Sequence, residues 1–377
     1  MKFLFVVPPL TGHVNPTISV GRVLASRGHD VAWVGHPGKV RPLLPADAKL
    51  FPLPETVDAD HAAAVRDKAA TARGAAALKF LWEDFLIPLA RSMYPGIVAA
   101  VTEFRPDVMI VDQQAVAGGL VARAHRIPWA TSATTSAGIS DPLAALPQVK
   151  RWFDDLIAKL ESEYELPHAG ELSPHLVLAF TTSALVPNHF PAHYKLVGPS
   201  IADRPETTPF PFDQLTRPAI LVSMGTVNAE ASTRFYQVVV DALADQPYQV
   251  ILVAPNIDQP PANFIVRPYI PQLALLDRVD AVVCHGGHNT TVEALAHGLP
   301  LVIAPIKDDQ PIVADQVVTA GAGLRIKFGR VQAPELRDAV HRILTEPAFK
   351  HAAERVRDSF TTAGGAAAAA TALEGLR

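Results

Sequence analysis

Two residues in the amino-terminal half have side chains suited to acid–base chemistry. His13 follows the apolar run Phe3–Val7, and Asp112 ends a second apolar run that begins at Val108. A histidine at the carboxyl end of a buried strand can act as a general base, because imidazole titrates near neutral pH. A carboxylate at a strand end of the same domain can fix the histidine tautomer and stabilise the imidazolium. The pair therefore predicts a general base, although a lone histidine is often structural and Asp112 also suits a helix cap.

A Gly-Gly turn in the carboxyl-terminal half has the features of an anion site. An apolar run ends at Cys284, Gly286 and Gly287 follow, and a helical stretch begins at His288. A strand, a glycine turn and a helix start place free backbone N–H groups at the positive end of a helix, where phosphate binds. Four polar side chains accompany this turn: His285, Asn289, Thr290 and Glu293. The first three are hydrogen-bond donors for a diphosphate, whereas a carboxylate one turn further along suits ribose hydroxyls.

A second polar loop follows the next apolar run. Leu301–Ala304 is ended by Pro305, after which Asp309 and Gln310 open another helical stretch. A carboxylate and an amide at a strand end suit sugar hydroxyls, which need both acceptors and donors. One glycine turn with Asn289 as a helix cap is common in any α/β protein. Polar residues at successive loop positions favour a binding site instead.

The composition excludes several classes of protein. A chain of 377 residues allows two or three domains. The formal net charge of -4, from 33 Lys+Arg and 37 Asp+Glu, argues against a protein that grips nucleic acid or an anionic membrane. The single cysteine excludes an internal disulfide and a multi-cysteine metal site. Because no apolar run reaches about 18 residues, we expect no membrane span and a cytoplasmic protein.

Short apolar runs alternate with helical stretches in both halves, which predicts α/β domains with mostly parallel sheets. Each half opens with an apolar strand and a glycine turn, FLFVVPPLTGH and AILVSMGT, so we expect two doubly wound domains. We place these domains at residues 1–198 and 219–377, and the last helix can return to the first domain. The proline-rich residues 199–218 predict a linker. Ligands bind outside the carboxyl ends of such strands, so we expect the domains to face a central cleft.

The segment CHGGHNTTVEALAHGLPLVIAPIKDDQ resembles the nucleotide-sugar signature of the family 1 glycosyltransferases, which are inverting GT-B enzymes. The family's His, Gly, hydroxyl residue and Glu, then Gly-x-Pro, then Pro-x-x-x-Asp-Gln, are met by His285, Gly287, Thr290, Glu293, Gly298, Pro300, Pro305, Asp309 and Gln310. Upstream, the family's Trp-x-Pro-Gln is matched by Tyr269-Ile-Pro-Gln272. The resemblance covers the whole chain in order. It implies two Rossmann-like domains, the first binding the acceptor and the second the nucleotide sugar.

The resemblance also implies roles for individual residues. The diphosphate is expected at His285 and Thr290, the ribose at Glu293, and the donor sugar at Asp309 and Gln310. The base is expected beside Tyr269, Ile270 and Gln272, where Tyr269 replaces the stacking tryptophan of plant members. The turn with Ser223, Gly225 and Thr226 is expected over the phosphates or the sugar. Two further positions complete the implied donor site, Gly12 and Asn289.

These features predict a transferase that moves a hexose or deoxyhexose from a UDP- or dTDP-sugar to a hydroxyl of a small hydrophobic natural product. His13 is the expected base, assisted by Asp112, and the family resemblance gives both residues these roles. Helix amides and His285 are expected to stabilise the leaving diphosphate, so we expect no metal and no other cofactor. Several aromatic residues either line the acceptor pocket or fill the core: Trp82, Phe85, Trp129 and Trp152.

Two alternatives remain open at this level. One is a nucleotide-sugar 2-epimerase on the same fold, and the other is a non-catalytic helper of a partner transferase. The pair His13 and Asp112, together with a long helical insertion over residues 58–104, favours transfer to an acceptor. The sequence does not distinguish a monomer from a homodimer.

Overall fold

The computed structural model describes residues 1–54, 75–140, 143–144, 146–187, 189–201, 208–225, 232–255 and 257–376. The chain forms two compact units. The first contains Met1–Phe180, Asn188–Ala202 and Gly364–Arg377, and the second contains Thr181–Pro187 and Asp203–Ala363. Of the predicted insertion over residues 58–104, the part before residue 75 lies outside the described residues.

A seven-stranded parallel sheet in the order β3-β2-β1-β4-β5-β6-β7 forms the centre of the first unit. Its strands are β1 (Lys2–Val6), β2 (Asp30–Gly35), β3 (Lys49–Pro52), β4 (Val108–Asp112), β5 (Trp129–Ala133), β6 (Val177–Ala179) and β7 (Tyr194–Leu196). Side chains of a strand alternate between faces, so Phe3 and Phe5 of β1 join one buried cluster while Leu4 and Val6 join another. Both faces are therefore covered by helices, as in a doubly wound sheet.

The helices of the first unit, apart from the last, are α1 (Thr11–Ser26), α2 (Pro37–Val40), α3 (Ala75–Lys79), α4 (Ile87–Phe104), α5 (Ala117–Ala124) and α6 (Pro147–Glu163). A 3-10 turn spans Arg41–Leu43, and a π-helical segment, Phe80–Leu86, joins α3 to α4. Helix α1 begins at Thr11, at the turn that follows β1. Proline is most common at the first position of a helix, but here Pro16 lies further inside it. His13 is consequently in the first turn of α1 and not in a loop before it.

The helical stretch Ala76–Phe104 is long and apolar enough to cross a membrane by length and composition alone, and 44% of its apolar window is buried. The core helix of a water-soluble protein meets the same criteria. Met93, Ile97 and Val101 of this stretch pack into a cluster with Leu4 and Val6 of β1. The apolar side chains thus cover a sheet, and the absence of a membrane span stays a prediction.

A six-stranded parallel sheet in the order β10-β9-β8-β11-β12-β13 forms the centre of the second unit. Its strands are β8 (Ala219–Ser223), β9 (Gln249–Val253), β10 (Phe264–Arg267), β11 (Ala281–Cys284), β12 (Leu301–Ile303) and β13 (Gly323–Arg325). Its helices are α7 (Thr233–Leu243), α8 (Gln272–Leu276), α9 (His288–Ala296), α10 (Gln310–Thr319), α11 (Ala333–Thr345) and α12 (Pro347–Ala363). The two doubly wound domains predicted from the sequence are confirmed.

The last helix, α13 (Gly365–Glu374), belongs to the first unit. Gly364 precedes it with φ 85°, a conformation that glycine adopts without strain. Leu373 is buried in the same cluster as residues of α1. Glu374 binds both Arg27, at 2.7 Å, and His29, at 2.8 Å. The carboxyl terminus therefore supports α1, the helix that carries His13.

Candidate active site

Each sheet has one place where the strand order reverses, and both predicted sites lie at such a place. In the first sheet β1 and β4 are neighbours, with Val6 opposite Val111, while β2 and β5 lie on the outer sides. Ligands of doubly wound sheets bind outside the carboxyl ends of strands at this point. His13 follows β1 and Asp112 is the last residue of β4. The fold thus brings together residues that are 99 positions apart.

The imidazole of His13 is hydrogen-bonded to the carboxylate of Asp112. The distance from His13 Nδ1 to Asp112 Oδ1 is 2.9 Å, and the side chains are 15% and 0% exposed. The backbone N–H of Gln114 donates to Asp112 Oδ1 at 2.8 Å, and the hydroxyl of Thr134 donates to Asp112 Oδ2 at 2.8 Å. These donors fix the orientation of the buried carboxylate, so that its Oδ1 is aimed at the ring. With the Nδ1 proton directed at Asp112, Nε2 is the nitrogen that can accept a proton.

Thr134 is a site residue that the sequence analysis missed. It follows β5, the neighbour of β4, and its hydroxyl oxygen lies 2.7 Å from His13 Nδ1. The segment Trp129–Ala133 reads WATSA, which has no sustained apolar run, so this strand was not predicted. Once β5 is known, the residue that follows it must lie at the same sheet edge as Asp112.

In the second sheet, β8 and β11 meet at the reversal, with Ser223 opposite Cys284. The turn after β11 needs glycine at Gly286, where φ is 86° and a Cβ would lie 2.8 Å from a methyl group of Ile303. Gly287 is the N-cap of α9 and has extended backbone angles. The first backbone N–H groups of a helix lack intrahelical partners and carry partial positive charge, so the start of α9 has the geometry of an anion site.

His285 lies between the two glycine turns of this edge. A Cβ on Gly225 would lie 2.8 Å from Cε1 of the His285 ring, and one on Gly287 would clash with the same ring. Burial lowers the pKa of His285, and the Asp309 carboxylate and a hydrogen bond to the Ser223 backbone only partly oppose this. The ring is therefore neutral at pH 7. Its one N–H is used in the hydrogen bond to the Ser223 backbone, and among the described residues Nδ1 has no partner, so Nδ1 can donate to an anion only after it takes up a proton.

Glu293 of α9 is hydrogen-bonded to Gln272, the first residue of α8. The amide Nε2 of Gln272 donates to Glu293 Oε2 at 2.6 Å, and Glu293 is only 2% exposed. Gln272 therefore holds one oxygen of the carboxylate in place. The structure brings these two predicted residues together, although the sequence analysis assigned Gln272 to the base and Glu293 to the ribose of the nucleotide.

Known proteins resemble this chain along its whole length. A family model described as the C-terminal domain of erythromycin biosynthesis protein CIII-like proteins matches residues 237–376. The NDP-glycosyltransferase YjiC of Bacillus subtilis is 28% identical, covering 97% of this chain and 95% of its own length. Demethyllactenocin mycarosyltransferase of Streptomyces fradiae is 29% identical, covering 99% of this chain and 86% of its own length. The chain has the GT-B fold and is similar to these glycosyltransferases over nearly its whole length.

Solved structures agree with this assignment. The glycotransferase of kitacinnamycin has a TM-score of 0.79 at 25% identity, covering 100% of this chain and 98% of its own. The spinosyn rhamnosyltransferase SpnG, solved with thymidine diphosphate, has the same fold with a TM-score of 0.78 at 21% identity, covering 99% of this chain and 100% of its own. The protein is thus a nucleotide-sugar glycosyltransferase of natural-product biosynthesis.

In this glycosyltransferase the loop after β12 is organised by Gln310. Its side-chain oxygen accepts the backbone N–H groups of Ile306, at 2.8 Å, and Lys307, at 3.1 Å. Asp309 is the N-cap residue of α10 and is half-buried. Gln310 therefore shapes the loop with its amide oxygen, and only its amide nitrogen can serve a donor sugar.

The other predicted donor-site residues lie at the ends of the same elements. Tyr269 is 67% exposed, and Ile270 follows it just before α8. Asn289 and Thr290 are in the first turn of α9 and are half-buried, while Gly12 is exposed in the first turn of α1. Thr226 lies outside the described residues.

The aromatic residues predicted for the acceptor pocket separate into two groups. Trp82 and Phe85 of the π-helical segment are half-buried on the core of the first unit. The indole N–H of Trp152 donates to Glu83 of the same segment at 2.9 Å. Trp129 differs from these residues, because it opens β5, is only 3% exposed and packs in the core, which is the second of the two roles predicted for it. Ser132, the residue of β5 opposite Asp112, lies three positions further along the strand, a distance of about 10 Å.

Proposed function

We propose that this glycosyltransferase transfers a hexose or deoxyhexose, with inversion, from a dTDP- or UDP-sugar to a hydroxyl of a small hydrophobic natural product. The proposal depends most on the contact between His13 and Asp112 at the strand-order reversal of the first sheet. A buried carboxylate that accepts from Nδ1 prepares the other ring nitrogen, Nε2, to remove a proton. A base of this kind is needed in a single displacement by a hydroxyl.

His13 takes the proton from the acceptor hydroxyl as the oxygen attacks the anomeric carbon. The proton goes to Nε2, the bond from the anomeric carbon to the diphosphate oxygen breaks, and the new glycosidic bond forms on the opposite face. Asp112 stabilises the imidazolium without taking the proton itself. The transition state has oxocarbenium character, as in other reactions at anomeric carbons. A positioned base contributes about 10²–10⁴-fold to such a reaction.

The negative charge that develops on the diphosphate is stabilised by the start of α9 and by His285, whose ring takes up a proton when the anion binds. Backbone N–H groups fixed by Gly286 and Gly287 need no reorganisation during the reaction, which makes them effective donors. Among the described residues, no three His, Cys, Asp or Glu side chains are grouped to hold a metal ion. That no divalent metal is needed remains a prediction, which an assay in EDTA tests.

The acceptor binds to the first unit in this proposal. In the part of the chain that the structure describes, three buried side-chain oxygens near the ends of β4 and β5 lack hydrogen-bond partners: Gln113 Oε1, Gln114 Oε1 and Ser132 Oγ. Buried polar atoms are usually paired, so such oxygens suit hydroxyls of a bound molecule. Half-buried aromatic residues such as Trp82 and Phe85 suit the apolar part of that molecule.

One relative and one protein of the same fold favour a deoxysugar on thymidine diphosphate as the donor. One relative is a mycarosyltransferase by name, and a protein of the same fold was solved with thymidine diphosphate. A uridine diphosphate sugar is the alternative, since Glu293 can bind a ribose or deoxyribose hydroxyl of either nucleotide. A nucleotide-sugar substrate and a single cysteine also favour a cytoplasmic enzyme.

A thermal-shift panel of dTDP, UDP and their sugars tests the donor, because ligand binding stabilises the native state in proportion to affinity. We expect a shift with at least one of the two diphosphates, with and without EDTA. The best donor is then incubated with and without hydroxyl acceptors, and the anomeric configuration of the product is determined by NMR. Inversion is expected. Retention of configuration contradicts the mechanism, and an epimer formed without acceptor establishes the 2-epimerase alternative.

A further inference from the structure

Thr134 lies at the edge of the first sheet where His13 and Asp112 meet. It follows β5, whose neighbour in the ladder is β4, with Ser132 opposite Asp112. Thr134 is 2% exposed, so its hydroxyl is not simply solvated. Its oxygen lies 2.8 Å from Asp112 Oδ2 and 2.7 Å from His13 Nδ1. The three side chains thus form a closed ring of contacts.

Counting protons in this ring favours one arrangement over its opposite. The hydroxyl of Thr134 has one proton, and it donates that proton to Asp112 Oδ2. At 2.7 Å from His13 Nδ1, the hydroxyl oxygen must then act as the acceptor. The Nδ1 proton is consequently shared between this oxygen and Asp112 Oδ1, which is 2.9 Å away.

The opposite arrangement is unfavourable. If Nδ1 carried no proton, its lone pair would face the lone pairs of a carboxylate oxygen at 2.9 Å. A hydroxyl proton turned toward Nδ1 would also leave Asp112 Oδ2, in a fully buried carboxylate, without that donor. Both costs favour the tautomer with the proton on Nδ1.

We propose that Thr134 is a positioning residue that holds His13 in the Nδ1–H tautomer and fixes the plane of its ring. One hydrogen bond to Asp112 lets the ring pivot about the bond, whereas a second acceptor at the same nitrogen fixes its direction. The inference rests on the proposed function, in which Nε2 of His13 takes the acceptor proton. It adds a third side chain to the predicted pair and gives the hydroxyl a separate, testable task.

The test compares two variants of Thr134 with a matched control. Thr134→Val keeps the shape of the side chain and removes the hydroxyl, so we expect kcat to fall about tenfold, a part of what a positioned base supplies. The KM of the donor is expected to stay within about twofold, because the nucleotide contacts lie in the second unit. Thr134→Ser keeps the hydroxyl and is expected to restore most of kcat. These measurements use the full chain and its best donor.

Thr131→Val is the control for the loss of a buried threonine hydroxyl. Thr131 lies in β5, is 1% exposed and accepts the backbone N–H of Ser173 at 2.8 Å. Removing the Thr131 hydroxyl breaks this buried hydrogen bond and removes no contact of the His13 ring. We therefore expect a lower melting temperature with an unchanged kcat, which separates a structural effect from a positioning effect.

The tautomer itself is measured by nitrogen NMR on protein with ¹⁵N-labelled histidine, where His13 is assigned by its loss in His13→Gln. We expect a protonated Nδ1 and an unprotonated Nε2 in the wild type, and a mixture of tautomers in Thr134→Val. This readout does not depend on turnover, so it tests Thr134 separately from the role of His13 as base.

Several results overturn the inference. The first is a kcat of Thr134→Val equal to that of the wild type. The second is a kcat of Thr134→Ser as low as that of Thr134→Val. The third is a His13 tautomer that is unchanged in Thr134→Val. If His13→Ala is inactive while Thr134→Val is normal, only the role of Thr134 is lost. If His13→Ala retains full turnover, the proposed base fails, and Thr134 then has no base to position.

Discussion

Two histidines of this glycosyltransferase lie at the strand-order reversals of two similar sheets but have different surroundings. His13 follows β1 and His285 follows β11, and both strands lie at the reversal of strand order in their sheet. His13 contacts the carboxylate of Asp112, whereas His285 is enclosed by glycine turns and bonded to a backbone carbonyl. The topology therefore decides where a functional histidine is placed, and the neighbouring side chains decide what it can do.

The difference has a simple electrostatic explanation. A carboxylate in contact with an imidazole stabilises the positive charge that forms when the ring takes a proton. Burial without such a contact has the opposite effect and lowers the pKa of His285. A base must become charged during the reaction, while a group that receives an anionic ligand can begin neutral. The two environments match these two tasks.

Replacing His13 and His285 one at a time tests whether the two histidines have different tasks. Among the substitutions considered, these are expected to have the largest effects on kcat and on nucleotide affinity. We expect His13→Ala to lower kcat by about 10²–10⁴-fold, because a positioned general base is lost. Its affinity for the nucleoside diphosphate, measured by calorimetry, is expected to be unchanged. We expect His285→Ala to weaken that affinity instead.

A control for the loss of any imidazole is His351→Ala, which removes an exposed residue of α12 and is expected to change neither quantity. Turnover of His13→Ala within a few-fold of the wild type contradicts the base assignment. Equal losses of nucleotide affinity in both site variants contradict the division of tasks.

The sequence was sufficient to predict most of the elements that position the two histidines. The strand Val108–Asp112 agrees with the predicted apolar run residue for residue, and the strand Ala281–Cys284 ends at the residue where the sequence placed the end of its run. These strands are buried along their whole length, so continuous apolar runs identify them.

Elements whose stability depends on tertiary contacts were harder to predict. Strand β5 contains Thr131 and Ser132, and its polarity is tolerated because the hydroxyl of Thr131 accepts the N–H of Ser173, 42 residues away. No local pattern reveals such a partner. Thr134 was missed for the same reason, since its importance depends on β5 lying beside β4. The pair His13 and Asp112 could be predicted because each residue ends or follows a strand that the sequence identifies.

Substitution of a glycine in the turn that encloses His285 is expected to have a smaller effect than replacement of either histidine. Gly225 has φ 75°, and a Cβ there would lie 2.8 Å from the ring of His285. Gly225→Ala must therefore displace the ring or the turn, and we expect about tenfold weaker binding of the nucleoside diphosphate, a loss of ~1.4 kcal/mol. Calorimetry measures the affinity, and the kcat of the variant at saturating donor is expected to fall much less.

Gly170→Ala is the matched control for this substitution. Gly170 has φ 83°, but a Cβ there meets no atom within 4 Å. Both variants have a similar backbone cost, and only Gly225→Ala changes the surroundings of His285. If the two variants bind the nucleoside diphosphate equally well, close packing against His285 does not matter for the donor.

The smallest expected effect is proton uptake by His285 when the donor binds. Burial lowers the pKa of the free ring, and a bound diphosphate anion raises it by favouring the protonated form. Binding therefore takes up a fraction of one proton at pH values between the two pKa values. Affinity must rise as the pH falls from the bound-state pKa toward the free-state pKa, by at most about tenfold per pH unit for one proton. Below the free-state pKa the dependence disappears, because both states are then protonated.

Calorimetry in two buffers of different ionisation enthalpy measures this uptake directly. His285→Gln keeps a polar side chain that cannot titrate, so the part of the uptake due to His285 is expected to vanish, leaving only that of the diphosphate itself. His13→Ala is expected to keep the uptake, because Asp112 and not the nucleotide is the charge partner of that ring. An uptake that is unchanged in His285→Gln, or lost in His13→Ala, assigns the proton to a different group and reverses the electrostatic contrast between the two histidines.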